Sequence, residues 1–189
     1  MKSTNSFDLI VIGGGAAGFF GAIIAAEKNP GLRILILEKT SKLLSKVKVS
    51  GGGRCNVTHH CLEPLQLSRH YPRGQKELKQ LFRSFQATDT IRWFADNQVE
   101  LKVEADGRMF PATDSSQTII DCFLSKAHQL KIEIRINTGV EKVEIQHNSL
   151  SVQCDTKEIF HGRKILVATG GPNQMRGYEW IAALGHTIM

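Results

Sequence analysis

Cysteine is scarce in this sequence: four in 189 residues, at positions 55, 61, 122 and 154, with no framework spacing among them. A small disulfide-stapled scaffold is thereby excluded, and in a reducing compartment these side chains stay thiols. Long apolar runs are lacking too, since none reaches the roughly 18 residues that a membrane span needs. The start, MKSTNSFDLIVIGGG, carries one lysine and an apolar stretch that is broken by Asp8 and runs straight into glycines. It does not read as a cleavable signal, so a cytoplasmic protein is expected. Internal repeats, low-complexity segments and a convincing linker are also missing. What is present, 41% hydrophobic and 22% charged residues, is the composition of a soluble globule. A chain this long buries roughly 70% of its unfolded surface without staples.

The formal charge is +6. Between Lys42 and Lys76 stand Lys42, Lys46, Lys48, Arg54, Arg69, Arg73 and Lys76 against the single acid Glu63, so this one stretch holds the whole excess. Elsewhere the signs balance. Such a patch suits a small polyanion, an RNA or an ordinary solvated loop.

Element order follows from hydrophobic periodicity. FDLIVI, residues 7–12, is a short branched apolar run ended by glycine, which predicts a buried strand. GGGAAGFFGAIIAAEKN has helical composition and stops at Pro30-Gly31; RILILE, 33–38, predicts a second buried strand. Together they make a right-handed βαβ unit with a parallel pair. Beyond the basic stretch, KELKQLFRSF places Leu78, Leu81, Phe82 and Phe85 on one helical face, and a further helix starts at Thr88 or Asp89. VELKVEADGRMFPA alternates about Asp106-Gly107, a hairpin signal, and Ser115 or Ser116 caps a helix carrying Ile119, Ile120, Phe123 and Leu124. IEIRI, 132–136, is a strand. VEKVEI, LSVQC and KEIFH predict an antiparallel meander, and KILVATGG, 164–171, a separate buried strand closed by glycines.

The first chemical motif is a GxGxxG, Gly13-Gly14-Gly15-Ala16-Ala17-Gly18. Gly13 makes the tight turn, Gly15 leaves no Cβ to obstruct a diphosphate, and Gly18 lets helix and strand approach closely. Glu38, twenty residues after Gly18 at the end of the next strand, is placed to accept hydrogen bonds from an adenosine ribose and to repel a 2′-phosphate. A dinucleotide is the expected ligand, with FAD and NAD not separated by this fingerprint.

SGGGRCNVTHHC, residues 50–61, admits several readings. Zinc on Cys55, His59, His60 and Cys61 is disfavoured because adjacent histidines do not turn easily to one tetrahedral centre. A redox disulfide of Cys55 and Cys61 stays open beside incidental thiols. Three successive glycines fit another role: Ser50 to Gly53 can wrap a flat ring or a phosphate, with Lys46 and Arg54 supplying cationic hydrogen bonds.

GGGAAG, the pair Glu38-Lys39, SGGGRCNVT, DGRMFPATDSS and ATGG, in this order and spacing, resemble the HI0933-like flavoproteins, a family of FAD-dependent proteins of the BaiN-type and aminoacetone oxidase-like kind. The resemblance spans nearly the whole chain. It implies an α/β fold of the FAD-binding Rossmann-like, two-dinucleotide-binding-domain type: a parallel sheet with an antiparallel meander and a helical insertion, incomplete at the C-terminus. It implies FAD with its ADP half on Gly13, Gly15, Ala16, Ala17, Gly18, Glu38 and Lys39. The flavin side would lie near Lys46, Ser50, Gly51, Gly52, Gly53, Arg54, Cys55 and Asn56, with Val140 at the adenine and Ala168, Thr169, Gly170 and Gly171 passing the cofactor. No catalytic residue and no metal ligand is assigned.

Two departures stand out. The family shows Gly-Arg/Lys before the lysine matched by Lys46, where this chain has Leu44-Ser45. Family members are also about twice as long, so residues 1–189 read as the N-terminal part of an FAD-binding domain, without the substrate domain and return segment. An incomplete sheet of this kind would expose an edge and favour self-association. The expectation is an FAD-binding oxidoreductase acting on a small molecule, with NAD(P)H as a candidate donor, no membrane partner, and nucleic acid a lesser expectation. Two alternatives remain: a non-catalytic remnant whose basic loop (Lys46, Lys48, Arg54) binds RNA or a partner, and an NAD-dependent dehydrogenase.

Overall fold

The computed structural model describes residues 5–147, 149–171 and 175–188. In chain order the elements are β1 (Ser6–Ile12), α1 (Ala16–Lys28), β2 (Ile34–Leu37), α2 (Ser45–Val49), β3 (Thr58–His59), α3 (Pro64–Arg69), α4 (Gln75–Leu81) and α5 (Ala87–Asp96). They continue with β4 (Leu101–Val103), β5 (Arg108–Pro111), α6 (Ser116–Gln129), β6 (Glu133–Arg135), β7 (Val140–Ile145), β8 (Leu150–Cys154), β9 (Ile159–Val167) and α7 (Glu179–Ala182). The chain divides into two compact units, one formed by residues 1–45 with 123–189 and the other by 46–122.

The first unit is a six-stranded sheet in the order β6-β2-β1-β9-β8-β7. β1 pairs in parallel with both β2 and β9, and β2 in parallel with β6, so the expected βαβ unit is present. β1 and β2 are buried on both faces, as the all-apolar runs require. Ile10, Ile12, Leu35 and Leu37 cluster with Val143, Val152, Cys154 and Phe160, and Trp180 packs against that cluster. The alternate residues Val11, Ile34 and Ile36 are equally buried, as are Phe19, Ala22, Ile23 and Ala26 of α1. Each such large apolar side chain contributes about 1.5–3 kcal/mol relative to exposure.

One strand assignment needs correction. KEIFH and KILVATGG are not two strands but one, β9, which pairs antiparallel with β8 from Ile159 to Gly162 and parallel with β1 from His161 to Val167. Nothing between His161 and Arg163 breaks the extended backbone. Gly162 belongs there for packing: a Cβ on it would stand 3.0 Å from Ile10 Cδ1. The meander therefore continues the main sheet.

The second unit holds a small sheet, β3-β5-β4, and short helices. The hairpin β4–β5 turns at Asp106-Gly107 as expected, with Gly107 at φ +82° and Asp106 accepting from both Arg108 N and Nε. α5 starts at Ala87, one residue before the expected position, where Asp89 reaches back to accept from Gln86 N at 2.8 Å. The expected apolar face on 78–85 is not a helix face. α4 ends at Leu81, tight turns close over Phe82 to Ser84, and Leu81 and Phe85 are exposed. At the start of α6, Ser115 Oγ accepts from Gln117 N, while Ser116 Oγ donates to the Lys48 carbonyl. Among the described residues no helix is long and apolar enough to cross a membrane.

Candidate functional site

In the first unit the turn after β1 is built by glycines with different tasks. Gly13 sits at φ +116°, and a Cβ there would stand 2.4 Å from the Ala168 carbonyl oxygen. A Cβ on Gly18 would lie 1.9 Å from the Gly13 oxygen, so only hydrogen lets α1 rest on the end of β1. Gly15 is different. Its backbone, φ −90° and ψ −175°, suits any residue, and a Cβ on it would meet nothing within 4 Å. It is the N-cap of α1 and supplies no side-chain cap, and the first turn carries no acidic residue. The amides of Ala16, Ala17 and Gly18 have no carbonyl one turn earlier within the helix, and they share the positive end of its dipole. Open space over bare amides is an anion site of the kind a diphosphate fills.

Glu38 stands at the neighbouring strand end. One carboxylate oxygen accepts from Gly14 N at 2.9 Å; the other accepts from Thr40 N and Thr40 Oγ1, each at 2.9 Å. A carboxylate offers about four acceptor positions, so one is left for a ribose hydroxyl. Thr40 was not singled out from sequence, and its only signal is a hydroxyl two residues after the acid. The segment 137–140 is tied alongside: Asn137 N donates to the Thr40 carbonyl, Thr138 N to the Glu38 carbonyl, and Gly139 N to Asp155. Val140, at the start of β7, is thereby held near Glu38 and the exposed Lys39. Ala168 N donates to the Ile12 carbonyl, which sets Ala168, Thr169, Gly170 (φ +68°) and the exposed Gly171 beyond the ends of β1 and β9.

Leu44 was read only as a departure from the family pattern. Its φ is +54°, its side chain is 1% exposed, and its N–H donates to the Gly14 carbonyl. The residue standing where the family has glycine thus adopts a glycine-like backbone, held by burial.

In the second unit the SGGGRCN loop forms a tight turn at Ser50–Gly53. Gly51, Gly52 and Gly53 have φ of +55°, +68° and +89°, and Cys55 follows at +65°. Gly51 faces inward, where a Cβ would stand 2.8 Å from Phe110 Cε1, whereas Gly52 faces open space. Ser50 Oγ donates to the Val47 carbonyl; Asn56 and Lys46 are exposed. Arg54 is engaged within its own unit. Its guanidinium pairs with Glu104, lies 3.5 Å from Asp114, and stacks on the Phe110 ring at 4.0 Å. Lys102 pairs with Asp114. The Glu104 hydrogen bond raises the Arg54 pKa, and the Lys102 hydrogen bond holds the Asp114 carboxyl below its ordinary value. Burial pushes the Cys55 thiol up, outweighing its hydrogen bond with Ser50, so no thiolate nucleophile is prepared there. None of the four cysteines is in a disulfide, so Cys55 and Cys61 are not paired.

The model of the HI0933-like protein Rossmann domain matches residues 7–189. The chain belongs to this family. It is 24% identical over 184 residues to the 3-dehydro-bile acid delta(4,6)-reductase of Clostridium scindens, covering 94% of this chain and 44% of that protein. Over 172 residues it is 28% identical to the ribosomal RNA dihydrouridine synthase of Escherichia coli K12, covering 87% of this chain and 40% of that protein. The chain thus spans about two-fifths of the curated relatives it matches. Among solved structures, a flavocytochrome c3 fumarate reductase in its open conformation superposes with a TM-score of 0.65 at 19% identity, covering 90% of this chain and 34% of that one. The fold is the mixed α/β, FAD-binding Rossmann type.

Proposed function

We propose that this family member is the N-terminal, cofactor-binding part of an FAD-dependent reductase that saturates a carbon–carbon double bond conjugated to a carbonyl group. The observation that carries the cofactor assignment is the unfilled space at Gly15, over uncapped amides and beside an acid with one acceptor position in reserve. Gly15, Ala16, Ala17 and Gly18 would hold the diphosphate, Glu38 a ribose hydroxyl, and the backbone near Val140 the adenine. Ala168 to Gly171 of the same unit would serve the remainder of the cofactor there. When bound, FAD supplies the hydride chemistry. The protein supplies placement: main-chain donors fixed by β1, α1 and the left-handed turn residues.

The bond class comes from chemistry shared by two relatives whose names differ. A 3-oxo steroid with double bonds at positions 4 and 6, and a uracil reduced at its 5,6 bond, each present an alkene conjugated to a carbonyl. In either case the carbon remote from that carbonyl is the electrophilic end of the alkene, where a hydride would be accepted. Residues 1–189 are read as the N-terminal part of the FAD-binding domain, and a small-molecule ring or a nucleobase is the substrate. Purified protein is expected to be yellow and to release FAD on denaturation, identified by mass. Colourless protein that takes up NAD but no added FAD would overturn the assignment in favour of a dehydrogenase.

A further inference from the structure

The second unit contains a cavity of about 390 Å³, within the roughly 300–1,000 Å³ range of small-molecule pockets, and every residue lining it belongs to that unit. Tyr71, Phe82 and Phe85 supply aromatic walls, with Tyr71 and Phe82 at 5.5 Å between centroids, and Thr58, His59 and Thr90 supply polar groups. Tyr71 and Phe85 remain more than 40% exposed, an unusual cost for two large rings on one short segment. The His59 ring belongs to the lining, and its Nε2 donates to the Asp106 carbonyl, which only accepts, at 3.1 Å.

The same segment is strongly basic. Arg69, Arg73, Lys76, Lys79 and Arg83 are all exposed, and Glu77 is the only acid between residues 64 and 85. Five cations spread over fifteen positions exceed what a single carboxylate on a steroid calls for; they match a chain of phosphates. Aromatic walls beside a cationic surround are together the recognition chemistry of an unstacked base on a single strand.

We propose that this pocket is a subsite for a base of single-stranded RNA, with the cations of 69–83 on the adjoining phosphates. Only the choice of RNA over another polyanion rests on the reductase reading. Sequence alone ranks nucleic acid low and assigns any RNA contact to Lys46, Lys48 and Arg54. Arg54 of that loop is engaged with Glu104, and the proposal places the contact on the aromatic segment instead.

Fluorescence anisotropy of the full chain with a labelled uridine-rich oligoribonucleotide tests this. Binding is expected to weaken steeply with salt, and the triple variant Arg73→Gln, Lys76→Gln, Lys79→Gln should lower the log–log slope by about two. Tyr71→Ala and Phe85→Ala should each weaken binding about tenfold at nearly unchanged slope, and Tyr71→Trp should retain it. Circular dichroism identifies a variant that has merely unfolded. Indifference to both ring deletions would overturn the pocket. Binding of phosphatidylglycerol vesicles or of cholate in place of RNA would overturn the choice of ligand. FAD content, read from the same samples, reports separately on the cofactor reading.

Discussion

The two units use glycine in the same paired way but surround the pairs very differently. In the first, Gly18 is pressed against the Gly13 carbonyl while Gly15, three residues earlier, faces empty space. In the second, Gly51 is pressed against Phe110 and Asn56 while its neighbour Gly52 faces empty space. One member of each pair serves packing and the other serves access. Around the first pair stand strands buried on both faces; around the second stand short helices, α4 without a buried residue, and a network of half-exposed ions. Rigidity is built from apolar burial in one unit and from local hydrogen bonds and charge in the other. Perturbing the packing glycines should therefore damage the fold, perturbing the access glycines should damage ligand binding, and salt should weaken the Arg54–Glu104 and Lys102–Asp114 network of the second unit.

The largest expected effect is that of Gly18→Val. With a Cβ 1.9 Å from a main-chain oxygen, α1 must leave the end of β1, a loss of about 3 kcal/mol or more. Thermal unfolding followed by circular dichroism reads it directly. A variant that melts with the parent would show that helix and strand are not in the contact described.

Gly15→Ala sharpens the same contrast from the other side. Its backbone is accessible to alanine and its Cβ meets no protein atom, so stability should stay within about 0.5 kcal/mol of the parent. FAD affinity, measured by quenching of flavin fluorescence, should fall at least tenfold, because the methyl occupies the place proposed for the diphosphate. Unchanged FAD affinity would remove Gly15 from the site.

Much of this contrast is legible in the sequence. β1, α1 and β2 follow from unbroken apolar runs and a glycine fingerprint, because both-face burial writes itself into every residue of the strand. The hairpin at Asp106-Gly107 follows from turn chemistry. What was not legible depends on tertiary contacts. No property of leucine announces the left-handed backbone of Leu44, which follows from its burial and its bond to Gly14. β9 was split because His161-Gly162-Arg163 interrupts the apolar pattern, although its backbone pairs on both sides. Phe82 and Phe85 were placed on a helix face because their spacing fits one, yet the helix ends before them and they line a cavity.

Arg54→Leu tests the charge-built unit and should have a smaller effect than Gly18→Val. It removes the guanidinium that neutralises Glu104 and Asp114 together and leaves Asp114 its pair with Lys102. The loss of stability should shrink as salt rises, since these groups are about a third exposed. The pH dependence has a defined sign. The Asp114 carboxyl is held below its ordinary 3.8, mainly by Lys102, so its stabilisation is present above that value and disappears as pH falls through the lower folded pKa. Acid unfolding of a Lys102→Met variant should therefore begin at higher pH than that of the parent.

The smallest effect at neutral pH is expected at Cys154, in the apolar unit. Its thiol is fully buried among Val143, Val152 and Phe160, and burial, reinforced by Asp155, Glu158 and Glu141, pushes its pKa up to about 11 from an ordinary 9.0. A raised folded pKa means that the unfolded chain loses its proton first. The contribution of this thiol is complete below pH 9 and is lost as pH climbs from 9 towards 11. Cys154→Val keeps nearly the same volume and should leave stability at pH 7 within about 1.5 kcal/mol of the parent. Between pH 9 and 10.5 it should flatten the decline seen in urea titrations of the parent. Equal slopes for the two proteins over that range would mean that the thiol meets water in the folded state, and the first unit would then be less dry than its strands require.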